Sequence, residues 1–257
     1  PEIVVNFKVV IPARFESTRF PGKLLSTING QTIINHVINV AQRSGASEVI
    51  VATDDERIAQ SVKNPECEVI MTSTNHQSGT DRIAEIVEKK NWDLEDVIVN
   101  LQGDEPFVPA ELVTSVAEAL AVTSSAAVST ICFPITERAD LFDPNLVKVV
   151  IDHKNYALYF SRAPIPWSRD TFSAEKKALP VDYAALGHIG IYGYRVKFLI
   201  EYADLPHSLL ENQEKLEQLR ILQAGHKIIT VLTHTPPAPG IDTPADLERA
   251  RQLASTL

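Results

Sequence analysis

The strongest constraint in this sequence is a rhythm. Over its first half, short apolar runs alternate with longer stretches whose apolar residues recur every three to four positions. Residues 8–12 (KVVIP), 48–53 (EVIVAT), 68–72, 97–102 and 127–133 have strand character. Between them, Ile33, Ile34, Val37, Ile38 and Ala41 mark a helix over 32–44 that Gly45 stops. Asp54 is the expected cap of a helix reaching residue 61. Ile83, Ile86 and Val87 lie on one side of a helix over 80–90, and Pro109 takes the first position of a helix to 120. A chain that alternates strand and helix needs crossover connections, so it builds a parallel sheet with helices on its faces.

The rhythm then changes. Residues 147–152 and 156–162 flank His153-Lys154-Asn155 as a hairpin, and 188–194 form another strand. A helix over 211–224 ends at Gly225, a strand covers 227–232, and Thr243 caps a last helix over 244–253. Repeats, low-complexity tracts and linkers are missing. The expectation is one domain over 1–257 with a β-rich insertion at about 140–200.

Composition narrows the function classes. Lys and Arg number 24 against 33 Asp and Glu, a net charge of −9, which disfavours nucleic-acid binding because that needs positive charge to displace counterions. No apolar run approaches the roughly 18 residues of a membrane span, so no membrane insertion is expected. The apolar start over 1–15, with Lys8 inside it, is expected to be the first strand and not a leader, and the missing initiator Met suggests a trimmed start. Cys67 and Cys132 each sit in an apolar run without a ligand neighbour and are expected to be buried, reduced thiols, in keeping with a cytoplasmic location.

The loop after the first strand, PARFESTRFPGK, carries Arg14, Arg19 and Lys23 with the hydroxyls of Ser17 and Thr18. Ligands of open α/β sheets bind beyond the C-terminal strand ends, where this loop must lie. Arg offers a planar fork and Lys a point charge to phosphate oxygens, so the loop suits a polyphosphate. It matches neither G-x-G-x-x-G nor G-x-x-x-x-G-K-[ST], and on spacing alone a solvated basic loop reads the same.

IPARFESTRFPGK resembles the nucleotide-binding loop of the cytidylyltransferases that activate acidic sugars. ATDDERIA (52–59), TSTNHQSGTDR (72–82), NLQGDEP (100–106), NLVKVV (145–150), YFSRAPIPWSRD (159–170), HIGIYGYR (188–195), LEQLR (216–220) and PGIDTPADLERA (239–250) extend the likeness over almost the whole chain. Together they resemble the 3-deoxy-manno-octulosonate (Kdo) cytidylyltransferase family. The resemblance implies a three-layer α/β/α nucleotidyltransferase (Rossmann-like) fold with a mostly parallel central sheet. It implies a homodimer that converts CTP and the eight-carbon acid Kdo into CMP-Kdo and pyrophosphate with Mg²⁺, for lipopolysaccharide biosynthesis.

The same resemblance assigns roles. Arg14, Lys23 and Asp104 are the expected catalytic groups; Arg14, Ser17, Arg19, Lys23, Ser78, Gly79, Thr80, Asp81, Arg82 and Gln102 the nucleotide site; Asp104 and Asp242 the metal pair. Gln102, Arg162, Arg169, His188, Tyr192, Glu214 and Gln218 are the expected sugar site, with His188 and Tyr192 on one strand face and Glu214 and Gln218 on one helix face. Taken singly, a surface Arg, a core His or Tyr and a solvated helix face would look the same. Two carboxylates at one sheet edge repel unless a cation lies between or beside them, which is the physical argument for a metal there. Gly187 stands where related sequences commonly carry Arg, so 8-amino-Kdo or a sialic acid remains an alternative sugar, and a catalytically silent nucleotide-binding homologue an alternative of another class.

Overall fold

The first strand, β1 (Phe7–Ala13), explains why the sheet lies at the centre of the molecule. Val9 and Ile11 pack into one apolar cluster and Val10 into another, so alternate residues bury on opposite faces. A strand buried on both faces reads as a continuous apolar run, as KVVI does.

The structure, a computed structural model, describes residues 5–76, 78–172, 179–180 and 183–255. Residues 1–4 of the expected first strand lie outside them. After β1 come a 3-10 turn (Lys23–Leu25), a ribbon of β2 (Thr27–Ile28) and β3 (Gln31–Thr32), α1 (Ile33–Arg43), β4 (Glu48–Thr53), α2 (Glu56–Ser61), β5 (Cys67–Met71) and α3 (Gly79–Lys90). Next are β6 (Val97–Asn100), α4 (Ala110–Val122), β7 (Val128–Pro134), α5 (Arg138–Phe142), β8 (Lys148–Ile151), β9 (Ala157–Ser161) and α6 (Arg169–Phe172). The last third holds β10 (Leu186–Arg195), α7 (Val196–Tyr202), α8 (Leu209–Glu214), α9 (Gln218–Gln223), β11 (Ile228–Leu232) and α10 (Pro244–Ala254).

The central sheet runs β11-β7-β10-β6-β1-β4-β5. β1 pairs in parallel with β4 and β6, β4 with β5, and β11 with β7; β10 alone among these seven runs against its neighbours. Apolar residues of α1, α4 and α10 cover one face, and those of α3, α7 and α9 the other. This is the expected three-layer architecture. Both cysteines are free and buried, and burial pushes the Cys67 thiol up to about 11. Among the described residues no helix is long and apolar enough to cross a membrane.

Several expectations need correction. The insertion placed at about 140–200 takes in residues 186–195, yet β10 lies in the middle of the central sheet, between β7 and β6. Among the described strands of this sheet, only the β8–β9 hairpin stands off this path, joined through Leu186 and Gly187. Asp55, not Asp54, caps α2 by accepting from Arg57 N (2.9 Å); Asp54 is engaged by Arg82 at 2.7 Å. Pro109 occupies the capping position just outside α4. The single helix expected over 211–224 is two, α8 and α9, separated where Lys215 takes a left-handed φ of 54° and Leu216 turns into the core. The helices α5, α6 and α7 have five, four and seven residues, too few for a periodic signal.

Close packing of α4 on β10 requires glycine at one point. A Cβ on Gly193 would overlap Ser129 Oγ and lie 3.0 Å from Val116 Cγ1. Gly193→Ala is therefore expected to cost about 1–3 kcal/mol as an overpacked core does. A lowered urea midpoint with an unchanged far-ultraviolet spectrum is the expected readout; an unshifted midpoint would show that α4 moves freely.

Candidate functional site

A cleft of about 230 Å³ opens where β1, β5 and β6 end. Its wall includes Arg14, Ser17, Arg19 and Lys23 from the first loop, Ser78, Gly79 and Arg82 from α3 and its cap, and Gln102, Asp104 and Asp242 from two strand exits. Ten of the expected site residues thus meet at one cleft, although they come from four separate stretches of chain.

The first loop holds its shape through Phe15. Its carbonyl accepts from Gly22 N at 2.9 Å, closing the loop across seven residues. Gly22 has φ +68°, and a Cβ there would press on the Phe15 ring at 2.9 Å, so this turn requires glycine. The Arg57 guanidinium stacks on the same ring, its carbon 3.3 Å from the centroid. Asp55 in turn accepts from Arg57 Nε at 2.9 Å and Nη2 at 2.6 Å. A cation–π contact thus ties the cationic loop to α2.

Asp104 and Asp242 converge on one atom. Lys23 Nζ lies 2.5 Å from Asp104 Oδ2 and 2.9 Å from Asp242 Oδ1. Arg19 Nη2 reaches the other Asp242 oxygen at 2.8 Å. The cation expected between the carboxylates is therefore, in this structure, an ammonium group of the protein. Burial works against the Lys23 charge, but Asp104 and Asp242 outweigh it and its pKa is raised. Thr243 Oγ1 accepts from Asp246 N at 3.2 Å and caps α10, which frees the Asp242 side chain. Glu105, beside them, is driven up to about 7 by burial first and then by the charges of Asp104 and Asp242.

The α3 end of the cleft divides its residues differently from the expectation. Ser78 and Asp81 form a reciprocal cap, Ser78 Oγ accepting from Asp81 N (3.1 Å) and Asp81 Oδ2 from Ser78 N (3.0 Å). Thr80 is buried and donates to Glu217 Oε1 at 3.0 Å, so it faces the core and not the cleft. Arg82 is buried too, bound to Asp54 and to the Thr72 hydroxyl. Thr80, Asp81 and Arg82 therefore build the frame, while Ser78 and Gly79 present backbone to the cleft. His76, also on the wall, is held by Glu85, which accepts from Ser73 N (2.9 Å) and pairs with Lys89 (2.6 Å). Burial opposes the Glu85 charge, but Lys89, His76 and Ser73 prevail and bring its pKa to about 2.

The expected sugar residues, Gln102 apart, lie beyond this wall. Gln102 Nε2 donates to Asn100 Oδ1 at 3.1 Å, Asn100 pairs with Tyr192 across β6 and β10, and the Tyr192 ring lies 5.4 Å from His188. A polar row thus leads from the cleft to His188, which bonds Thr130 Oγ1 through Nε2 at 2.9 Å. The ring contact keeps His188 and Tyr192 on one face despite a bulge between Ile189 and Tyr192. Desolvation holds the imidazole neutral, its pKa drawn down to about 3. Arg162 and Glu214 have structural partners: Glu214 accepts from Ser161 Oγ (2.7 Å) and Arg162 N (2.9 Å), and Arg162 Nε and Nη1 donate to the carbonyls of Glu214 and Pro144. Arg169 is exposed at the start of α6. Gln218 is buried but not on one helix face with Glu214, because Lys215 breaks the helix between them.

Glu217 is the residue that sequence reasoning passed over. Its carboxylate is buried, burial raises its pKa, and its Oε2 finds no hydrogen-bond partner among the described residues; the same holds for Asn100 Nδ2. An acid between Leu216 and Leu219 was the available signal. Gly187 is paired in register with Phe133 and Lys148, and a Cβ there would lie 2.6 Å from the Phe133 ring.

Comparison with known proteins places this geometry. Residues 8–228 match the family model described as cytidylyltransferase. A 3-deoxy-manno-octulosonate cytidylyltransferase of Nitrosococcus oceani is 49% identical over 253 residues, covering 98% of both chains. One from Psychromonas ingrahamii is 53% identical over 248 residues, 95% of this chain and 97% of the relative. The solved structure of a CMP:2-keto-3-deoxy-manno-octonic acid synthetase complexed with CTP superposes with a TM-score of 0.88 at 40% identity, covering 98% and 99% of the two chains.

The Phe15–Arg57 contact gives a test of the loop that leaves the core untouched. Arg57→Gln should weaken triphosphate binding by about 2- to 5-fold, the scale of an exposed cation–π contact. The thermal transition should stay in place, because Arg57 is 58% exposed. Titration calorimetry with CTP and a melting curve separate these outcomes; unchanged affinity would show that the loop is ordered without Arg57.

Proposed function

The chain belongs to the cytidylyltransferase family, and from that premise we propose that it transfers the cytidylyl group of CTP to the anomeric hydroxyl of Kdo, releasing pyrophosphate. The observation that carries the reading is the meeting of Arg14, Arg19 and Lys23 with Asp104 and Asp242 in one cleft. The sugar hydroxyl attacks the α-phosphorus in line: the new O–P bond forms as the bond to the bridging oxygen breaks, and the hydroxyl proton leaves to solvent. A protein nucleophile is not required, and the barrier falls through positioning and charge neutralisation. Arg14, Arg19 and Lys23 hold the phosphates and the departing pyrophosphate. Ser78 and Gly79 offer backbone to the base, close to Pro12 and Gln102. Gln102 lies between the cleft and the Tyr192–His188 row, so it stands where nucleotide and sugar meet. Arg162, Arg169, Glu214 and Gln218 complete the sugar side in this reading, with Arg162 and Glu214 acting through the segment they order.

Asp104 and Asp242 are the residues that would hold Mg²⁺. Both are hard oxygen donors, and the ammonium on which they converge stands in for a cation at that point. A bound Mg²⁺ supplies a Lewis acid for phosphate oxygens and eases ionisation of a coordinated hydroxyl. We place the reaction in lipopolysaccharide biosynthesis in the cytoplasm, carried out by a homodimer. Trp167 and Leu158, apolar and exposed near the β8–β9 hairpin, support a second copy as partner. Gly187 favours a second reading for the sugar alone, 8-amino-Kdo, since the space above Gly187 is filled by Phe133 and leaves no room for a cationic side chain.

Pyrophosphate release measured with CTP, UTP, ATP and GTP, each against Kdo, 8-amino-Kdo and a sialic acid, tests this. CTP with one of the eight-carbon acids should turn over fastest, and equal turnover of UTP would remove the base assignment. Asp104→Asn and Asp242→Asn should each nearly abolish turnover, with the double variant little worse, because groups that act as a unit are not additive. Each removes a partner of Lys23, so both should melt at or slightly below the wild-type temperature and not above it. Independent, multiplying losses would assign the two carboxylates separate roles.

A further inference from the structure

The ion pairs of the cleft engage Asp104 and Asp242 before any ligand arrives. Lys23 is shared by Asp104 and Asp242, and Arg19 pairs with Asp242 as well, so two cations face two carboxylates. The two cations are two of the three that the proposed function assigns to phosphate, Arg14 being the third, and the two carboxylates are those it assigns to a metal. Both carboxylates and two of the three phosphate-binding cations are already held by groups of opposite charge.

This arrangement treats separate ligands and a combined ligand differently. A divalent cation arriving alone must displace the Lys23 ammonium from the point where both carboxylates converge. The Lys23 side chain is only 12% exposed, and losing both partners leaves its charge largely desolvated without counter-charge. A triphosphate arriving alone draws Lys23 and Arg19 away and leaves two bare carboxylates beside a polyanion. When the metal and the triphosphate arrive as one chelate, the partners exchange: carboxylates take the metal, and Lys23 and Arg19 take the phosphates. We propose that Lys23 is an internal counter-ion which makes the cleft select the divalent-metal–nucleoside triphosphate chelate over either component alone. The inference rests on the nucleotide reading of the cleft and deepens it: the coupling between metal and nucleotide is a property of one lysine. By linkage, the factor by which CTP tightens metal binding equals the factor by which metal tightens CTP binding, and couplings of this kind are typically about 5- to 150-fold.

The probe is Mn²⁺, titrated by electron paramagnetic resonance against the full chain without nucleotide, so that activity is not the readout. Wild type should bind Mn²⁺ weakly, and Lys23→Met should bind it at least about 10-fold more tightly, because the competing ammonium is gone. Adding Asp104→Asn to Lys23→Met should abolish that gain, which assigns the extra affinity to this cleft. In a parallel titration with CTP, corrected for the Mn²⁺–CTP complex in solution, the mutual tightening should shrink in Lys23→Met. Melting curves accompany each variant, and Lys23→Gln, which keeps a polar head, replaces Lys23→Met if the latter fails to fold. Mn²⁺ affinity that is unchanged or reduced in the folded variant overturns the proposal and makes Lys23 a phosphate ligand only. If another nucleotide proves to be the substrate, the proposed function fails while the nucleotide-free Mn²⁺ comparison still decides this inference.

Discussion

A β-sheet buried on both faces can meet a ligand only along its edges. Here helices and their apolar side chains cover both faces of the sheet, and alternate residues of β1 serve the two clusters in turn. Every polar group with chemistry to offer must then lie where strands give way to loops. The exits of β1, β5, β6 and the segment after β11 open on one side, and the cleft forms among them. The position of the site follows from the burial of the sheet, before any particular side chain is considered.

The reversal of β10 extends the same logic to a second ligand. Because β10 runs antiparallel between β6 and β7, it brings Tyr192 opposite Asn100, two residues before Gln102 on the cleft wall. A further parallel strand would need another crossover, with its helix on a face already covered. The reversal instead lets the chain between β7 and β10, with the β8–β9 hairpin and α6, leave the sheet while its end returns to the core. His188, desolvated against Phe160 and bound to Thr130, is held neutral and fixed by that return.

Charge in the cleft is arranged by contacts between distant parts of the chain. Asp104 stands 81 residues from Lys23, and Asp242 stands 219 residues from it. Phe15, Gly22 and Arg57 set the loop that carries Lys23, the reciprocal cap of α10 frees Asp242, and the turn after β6 presents Asp104. Burial and the charges of Asp104 and Asp242 push the neighbouring Glu105 carboxyl up to about 7, and the ion pairs of the cleft join four side chains, Arg19, Lys23, Asp104 and Asp242.

By itself the sequence determined whatever depends on neighbours a few residues away. Strand and helix periodicity located β1, β4, β6, α1 and α3, because burial on a repeating face leaves a repeating pattern. The cationic first loop was legible for the same reason, and the quoted motifs tied Asp104 and Asp242 to one family. Tertiary structure decided everything that depends on which partner a polar group finds. Arg82, Arg162 and Glu214 look like ligands in one dimension, yet distant backbone and side-chain atoms claim them. Thr80 turns inward to Glu217, whose place in the core only the fold shows. The helix expected over 211–224 breaks at Lys215, where burying Leu216 prevails over continuing the helical hydrogen bonds. The carboxylate pair, expected to need a cation between or beside its members, meets the ammonium of Lys23, which no local pattern announces. A hydrogen bond or ion pair is satisfied by position in space, and position in space is set only when the whole chain has folded.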